Sequence, residues 1–286
     1  MAPRDLLLAI LIALAWGFSF VAIKIGVTHV PPLFFSALRF ALAAVPLVFF
    51  LPPPSAPWRI VIGIGAVLGV VKFSLLFVGL HMGAPAGLAS LLLQSQAFFT
   101  LLLAAILLNE VPSSRQILGM AVAFAGIGVV GSTVEGSASL HGVVLILLAA
   151  MAWAVSNILM RRAGDVQMLN LMVWASLVPP LPVFALSLWF EGPGAGLAAL
   201  SALRWEGVAA LAYVTVIGTI LGFAGWGHLI ARYGTTRVAP FALLVPVFGM
   251  GSAALVLGEA FGPVRLAGSV LVLAGLVLTI WTRRGA

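Results

Sequence analysis

The sequence predicts an all-α integral membrane protein: ten transmembrane helices arranged as two five-helix repeats, one inverted relative to the other. Three observations carry that expectation. Hydrophobic residues make up 63% of 286 and charged residues only 7%, with a mean hydropathy of +1.24. Soluble globular chains carry roughly 25% charged residues, so most of this surface faces lipid rather than water. The second observation is self-similarity. Residues 86–131 and 233–281 follow one plan about 149 positions apart, in which Glu110 answers to Glu259, Gly119 to Gly268 and Gly126 to Gly275. The third is parity: the repeated unit holds five spans, an odd number, so its two copies must sit upside down in the bilayer.

About 20 apolar residues cross the hydrocarbon core as a helix. Ten such runs are expected, near 6–27, 33–51, 59–80, 85–109, 115–132, 141–160, 168–190, 206–230, 236–258 and 264–281. The first is too long, and lacks a small-residue cleavage site before the next span, to be a removed signal peptide. The connections are short and rich in Pro and Gly, as at Pro52, Pro53 and Pro54 and at Gly192, Pro193 and Gly194. None could form a soluble domain. The repeats divide at 1–136 and 137–286. Their starts match as well, AWGFSFVAIK from Ala15 and AWAVSNILMR from Ala152, which pairs Trp16 with Trp153, Ser19 with Ser156 and Lys24 with Arg161. The offset is smaller there because the second copy has a longer stretch around 191–204.

Basic residues orient the spans. With the N-terminus inside, the inner side receives Arg4, Arg59, Arg115, Arg161, Arg162, Arg232, Arg237, Arg283 and Arg284, and the outer loops only Arg204 and Arg265. Both termini are therefore expected in the cytoplasm. The net charge of +7 is dispersed over span ends and forms no stripe, which argues against nucleic acid. Cysteine is absent, which excludes disulfides and thiolate metal sites; neither a metal nor a cofactor is expected. Arginine greatly outnumbers lysine, and together with the Ala/Gly/Leu/Val bias this points to a high-GC bacterial gene and hence to a bacterial inner membrane.

The AWG start, the segment RYGTTRVAPFALLVPVFG, the L-x-x-E span end and the LAG near the last span resemble the EamA family of the drug/metabolite transporter superfamily. The resemblance covers nearly the whole chain and occurs in both halves. It implies ten helices as five plus five and a metabolite carrier or exporter; within the family the chain is similar to the YddG-type amino-acid exporters. One departure stands out. The first half reads LLLQSQAFF where the second reads FALLVPVFG, so the fourth span is expected to lack the kink of the ninth at Pro246 and to carry amides instead.

Lys72 is the deepest charge, in the middle of the third span. A charge there costs a few kcal/mol on insertion scales, so it faces either an aqueous cavity, as an anchor for a substrate carboxylate, or backbone carbonyls as a structural group. Arg39 and Lys24 fall nearer the outer interface and read as snorkelling or capping residues. Gln94, Ser95 and Gln96 break the apolar fourth span. Two residues turn a helix by about 200°, so Gln94 and Gln96 point to different neighbours. Trp16 and Phe20 share one face of the first span, and Trp153 and Asn157 one face of the sixth; the symmetry-related tryptophans are expected to meet a central cavity from opposite sides. Tyr213, Trp226 and His228 on the eighth span are further candidates for substrate contact. Glu110 and Glu259 each close a helix before a Pro-containing turn and read as helix-end bonds. A carboxylate there opposes its own helix dipole, so each needs a partner. Gly119 and Gly126, like Gly268 and Gly275, lie seven apart on one face and permit close approach of the fifth and tenth spans.

No Asp or Glu lies in the middle of any span. Proton-driven carriers often relay through a buried carboxylate, so either His228 or Lys72 takes the proton or the carrier works by facilitated diffusion. There is no H-E-x-x-H, P-loop or G-x-S-x-G, and no enzymatic activity is expected. The reading is a secondary transporter, alternating access around an aromatic midplane cavity. It exports small neutral or zwitterionic metabolites, aromatic or other neutral amino acids above all. A broad-specificity exporter of drugs or toxic metabolites is the alternative, and an intramembrane enzyme the remote one. The partners expected are a small-molecule cargo and the bilayer, with a monomer or a homodimer as the unit.

Overall fold

The computed structural model describes residues 1–108, 112–133, 137–164 and 166–280. Among these every regular element is helical and no strand occurs. Eight helical stretches have the length and apolarity to cross a membrane: α1 (Pro3–His29), α2 (Pro32–Phe49), α3 (Trp58–His81), α4 (Ala86–Leu107), α5 (Ser114–Gly131), α6 (Leu140–Arg162), α7 (Met168–Phe190) and α8 (Trp205–Tyr233). Two shorter apolar ones follow, α9 (Phe241–Leu257) and α10 (Pro263–Leu278). Local chemistry sets several of the starts. Pro3 and Pro32 stand in the first turn, where a missing N–H costs nothing, and Ser113 with Gln116 forms a reciprocal capping box ahead of α5.

Six of these helices are not uniform, α2 ending in a 3₁₀ turn at Leu47–Phe49 and α7 breaking between Ala175 and Pro180. α3 passes through a π-helical turn at Gly65–Lys72 and α8 through another at Tyr213–Leu221. The two lie at the spacing of the repeat. α4 tightens into a 3₁₀ turn at Leu93–Ser95, and a second such turn, Ala239–Leu243, leads into the helix Leu244–Leu257. The contrast expected between a kinked ninth span and an unkinked fourth is thus corrected, since both carry a 3₁₀ turn. Pro246 lies in the first turn of Leu244–Leu257, where no intrahelical donor is required, and the irregular turn precedes it. The fourth span breaks without proline, at its amides. Gln94 Nε2 donates to the Ala242 carbonyl at 3.2 Å, so the two interruptions hold each other.

The largest core cluster draws buried side chains from α1, α2, α3, α4, α6, α8 and α9, among them Phe35, Phe77, Leu76 and Ile146. α1 and α9 cross with backbones in contact: a Cβ on Gly17 would lie 2.8 Å from the Gly249 nitrogen and from the Val245 carbonyl oxygen. α5 and α10 pack likewise, a Cβ on Gly126 meeting the Gly268 carbonyl at 2.7 Å and one on Gly275 meeting that of Gly119 at 2.5 Å. The start of α1 is tied to the end of α8, where Tyr233 donates its hydroxyl to Asp5 at 2.6 Å and the Arg232 Nε lies 3.6 Å from the same carboxylate.

Candidate functional site

The two π-helical turns carry or contact the buried cations Lys72 and Arg39. Lys72 closes the turn in α3 and is only 4% exposed. Its Nζ lies 3.3 Å from the centroid of the Phe73 ring and 4.7 Å from that of Trp153 on α6. The ammonium therefore rests against aromatic faces, whose negative quadrupole offsets part of its desolvation. Arg39 does not reach outward, as a snorkelling residue would. It is 3% exposed, and its Nε and Nη2 donate to Thr219 Oγ1 in the π-helical turn of α8, at 3.2 and 2.9 Å. Its guanidinium carbon stands 3.9 Å from the same Phe73 centroid and 4.5 Å from that of Phe40. Its distance from the helix start was legible in the sequence: seven residues beyond Pro32 amount to about 10 Å of helix.

Gly218, next to Thr219, accepts a hydrogen bond from Trp16 Nε1 at 2.9 Å. The Trp16 ring also packs on Trp226 and Phe223, with centroids 5.0 and 5.6 Å away. Trp16 and Trp153 thus approach the π-helical turns of α8 and α3 respectively, and among the described residues no ring contact joins them. Phe20 is buried in the main core. Tyr213, the first residue of its π-helical turn, donates to the Ala15 carbonyl at 3.1 Å and stacks edge-on against Phe18. His228 is exposed, near the end of α8.

The amides of α4 diverge. Gln94 is buried and engages Ala242, as described above, whereas Gln96 Oε1 accepts from Asn157 Nδ2 at 2.5 Å. The same Asn157 nitrogen donates to Thr100 Oγ1 at 3.0 Å. Asn157 and Trp153, one turn apart on α6, therefore meet α4 and α3 respectively.

At one end of the bundle two carboxylates hold helix N-termini. Glu259 accepts from the backbone N–H groups of Ala86 and Gly87 at 2.5 and 3.0 Å, so its partner is the start of α4. Glu191 does the same for Leu33 and Phe34 at the start of α2, at 2.6 and 3.1 Å. Sequence reasoning missed Glu191, because its partner lies 158 residues away with no spacing to announce it. Lys24 donates to the Leu80 and Ala84 carbonyls at 2.5 and 3.1 Å, beside the start of α4. Glu110 lies outside the described residues. Near this end a cavity of about 770 Å³ opens between α1, α2, α3 and α7, lined by His29, His81, Ser74, Leu186 and Phe190 among others.

A model of the EamA-like transporter family matches the chain twice, over residues 4–132 and 140–281. The chain is 40% identical over 287 residues to a Salmonella typhimurium protein named a probable amino-acid metabolite efflux pump, a match covering 98% of this chain and 96% of that one. To an Escherichia coli protein of the same name it is 37% identical over 290 residues, with 99% and 97% covered. In three dimensions it is similar to a solved crystal structure at a TM-score of 0.64, covering 97% of this chain and 96% of that one. At 17% identity that likeness speaks for the fold alone.

Proposed function

The chain belongs to the EamA-like transporter family, and from that premise we propose that it exports amino acids or closely related small metabolites across the bacterial inner membrane. The names of its relatives point to transport rather than catalysis. The observation that carries the reading is the position of Lys72: a buried ammonium at the end of a π-helical turn, against the rings of Phe73 and Trp153. Such turns concentrate at functional sites, and an intramembrane cation is by default a functional group. In the proposed mechanism Lys72 anchors the cargo carboxylate. Trp153, Trp16 and Trp226 supply the apolar wall, and Asn157 with Gln96 offers amides to the remaining polar groups.

The proposed frame has ten spans in two inverted repeats, residues 1–136 and 137–286, with both termini in the cytoplasm. Interruptions of α3 and α8 and of α4 and α9 at nearly one spacing support it, since discontinuous helices around a midplane site are how such carriers bind and alternate. Proton coupling through Lys72 or His228, facilitated diffusion, and a monomeric or dimeric unit all fit this frame.

Counterflow in proteoliposomes tests the proposal. Vesicles preloaded with single amino acids are given tracer, with a Lys72→Ala variant beside the parent. The expected result is exchange by the parent and at least a tenfold loss in the variant. Exchange unaffected by Lys72→Ala removes the lysine from the mechanism. No amino-acid exchange by folded parent protein, with efflux of lipophilic cations instead, would replace the amino-acid reading with that of a drug exporter.

A further inference from the structure

Arg39 has no role in the anchor just described, yet its surroundings match those of Lys72. Both cationic heads stand over one ring, at 3.9 and 3.3 Å from the Phe73 centroid. Their separation is then no more than those two distances combined. Thr219 Oγ1 serves Nε and Nη2 of Arg39, but Nη1 is buried without a partner. Among the described residues no carboxylate pairs with either cation, and the chain's acidic residues all fall at span ends or in loops.

A buried charge persists against an anion or for a function. Here two like charges share one ring, and its quadrupole can offset only part of their desolvation and mutual repulsion. A zwitterion does not correct the imbalance, because its ammonium adds back the charge its carboxylate removes. A second acidic group does. The guanidinium keeps an unused N–H edge for it, and that fork matches carboxylate geometry.

We propose that the preferred cargo carries a net negative charge: an amino-acid-derived metabolite with two acidic groups. Lys72 takes one carboxylate, and Arg39 takes the other. This deepens the amino-acid reading and rests on it. Arg39 is a specificity-determining binding residue, and Thr219 positions it.

The test compares acid and amide of the same shape, glutamate with glutamine and aspartate with asparagine, in counterflow with parent, Arg39→Gln and Arg39→Lys. In the parent the KM for the acid is expected at least tenfold below that for its amide. Arg39→Gln should bring the ratio of the two KM values close to one, and Arg39→Lys should restore part of it. Equal handling of acid and amide by the parent, or a ratio that Arg39→Gln leaves in place, overturns the proposal while keeping an amino-acid carrier. Absence of all amino-acid exchange sinks the underlying reading instead. Should Arg39→Gln fail to fold, thermal unfolding of the parent decides: glutamate raising Tm where glutamine does not supports the paired-cation site, and equal shifts refute it.

Discussion

Single residues carry the sharpest contrasts between what the chain spells out and what only folding arranges. Lys72 announced itself, because one charge in a long apolar run has few explanations. Phe73 and Thr219 did not: an aromatic and a hydroxyl are ordinary in a membrane helix, and their importance lies in touching Lys72 and Arg39. Glu259 falls between these cases. Its position at a helix end demanded a partner, but not that the partner would be the N-terminus of α4, 172 and 173 residues back along the chain. There it meets both the free N–H groups and the positive end of a dipole. Glu259→Gln keeps the shape and removes the charge from two charge-assisted hydrogen bonds. The expected cost is roughly 1–3 kcal/mol, read as a lower unfolding temperature in detergent. A variant as stable as the parent would show that the carboxylate does not hold this junction.

Individual helices were legible in extent and opaque in detail. Span ends came within a few residues, since apolar length against bilayer thickness is a strong constraint. The π-helical and 3₁₀ turns left no mark in the hydrophobic pattern, because a helix apolar on every side has no periodicity to disturb. Glycine spacing was more informative. On α5 and α10 it marks faces that meet backbone to backbone, with room for no side chain between Gly126 and the Gly268 carbonyl. Gly126→Leu must push α5 and α10 apart. Overpacking of this kind costs about 1–3 kcal/mol, occasionally more, so the variant should melt earlier and give less folded protein on size-exclusion chromatography. Unchanged behaviour would mean that the two helices separate freely.

For the whole molecule, the duplication was readable before any coordinate, as was membership of a family whose model matches both halves. Orientation rests on the distribution of basic residues. The chain has no cysteine, so single cysteines can report sidedness directly. Ser113→Cys, between α4 and α5, should react with a membrane-impermeant thiol reagent only from the cytoplasmic face, and Ser201→Cys only from the outer face. Reaction of both from one face would refute the inverted arrangement.

The contact between α5 and α10 also bears on motion. Carbonyl against Cα leaves no flexible side chain at Gly119, Gly126, Gly268 and Gly275 to absorb slack. In a carrier built this way, displacement of one half passes to the other undamped. If opening at one face moves α5, then α10 has to move with it.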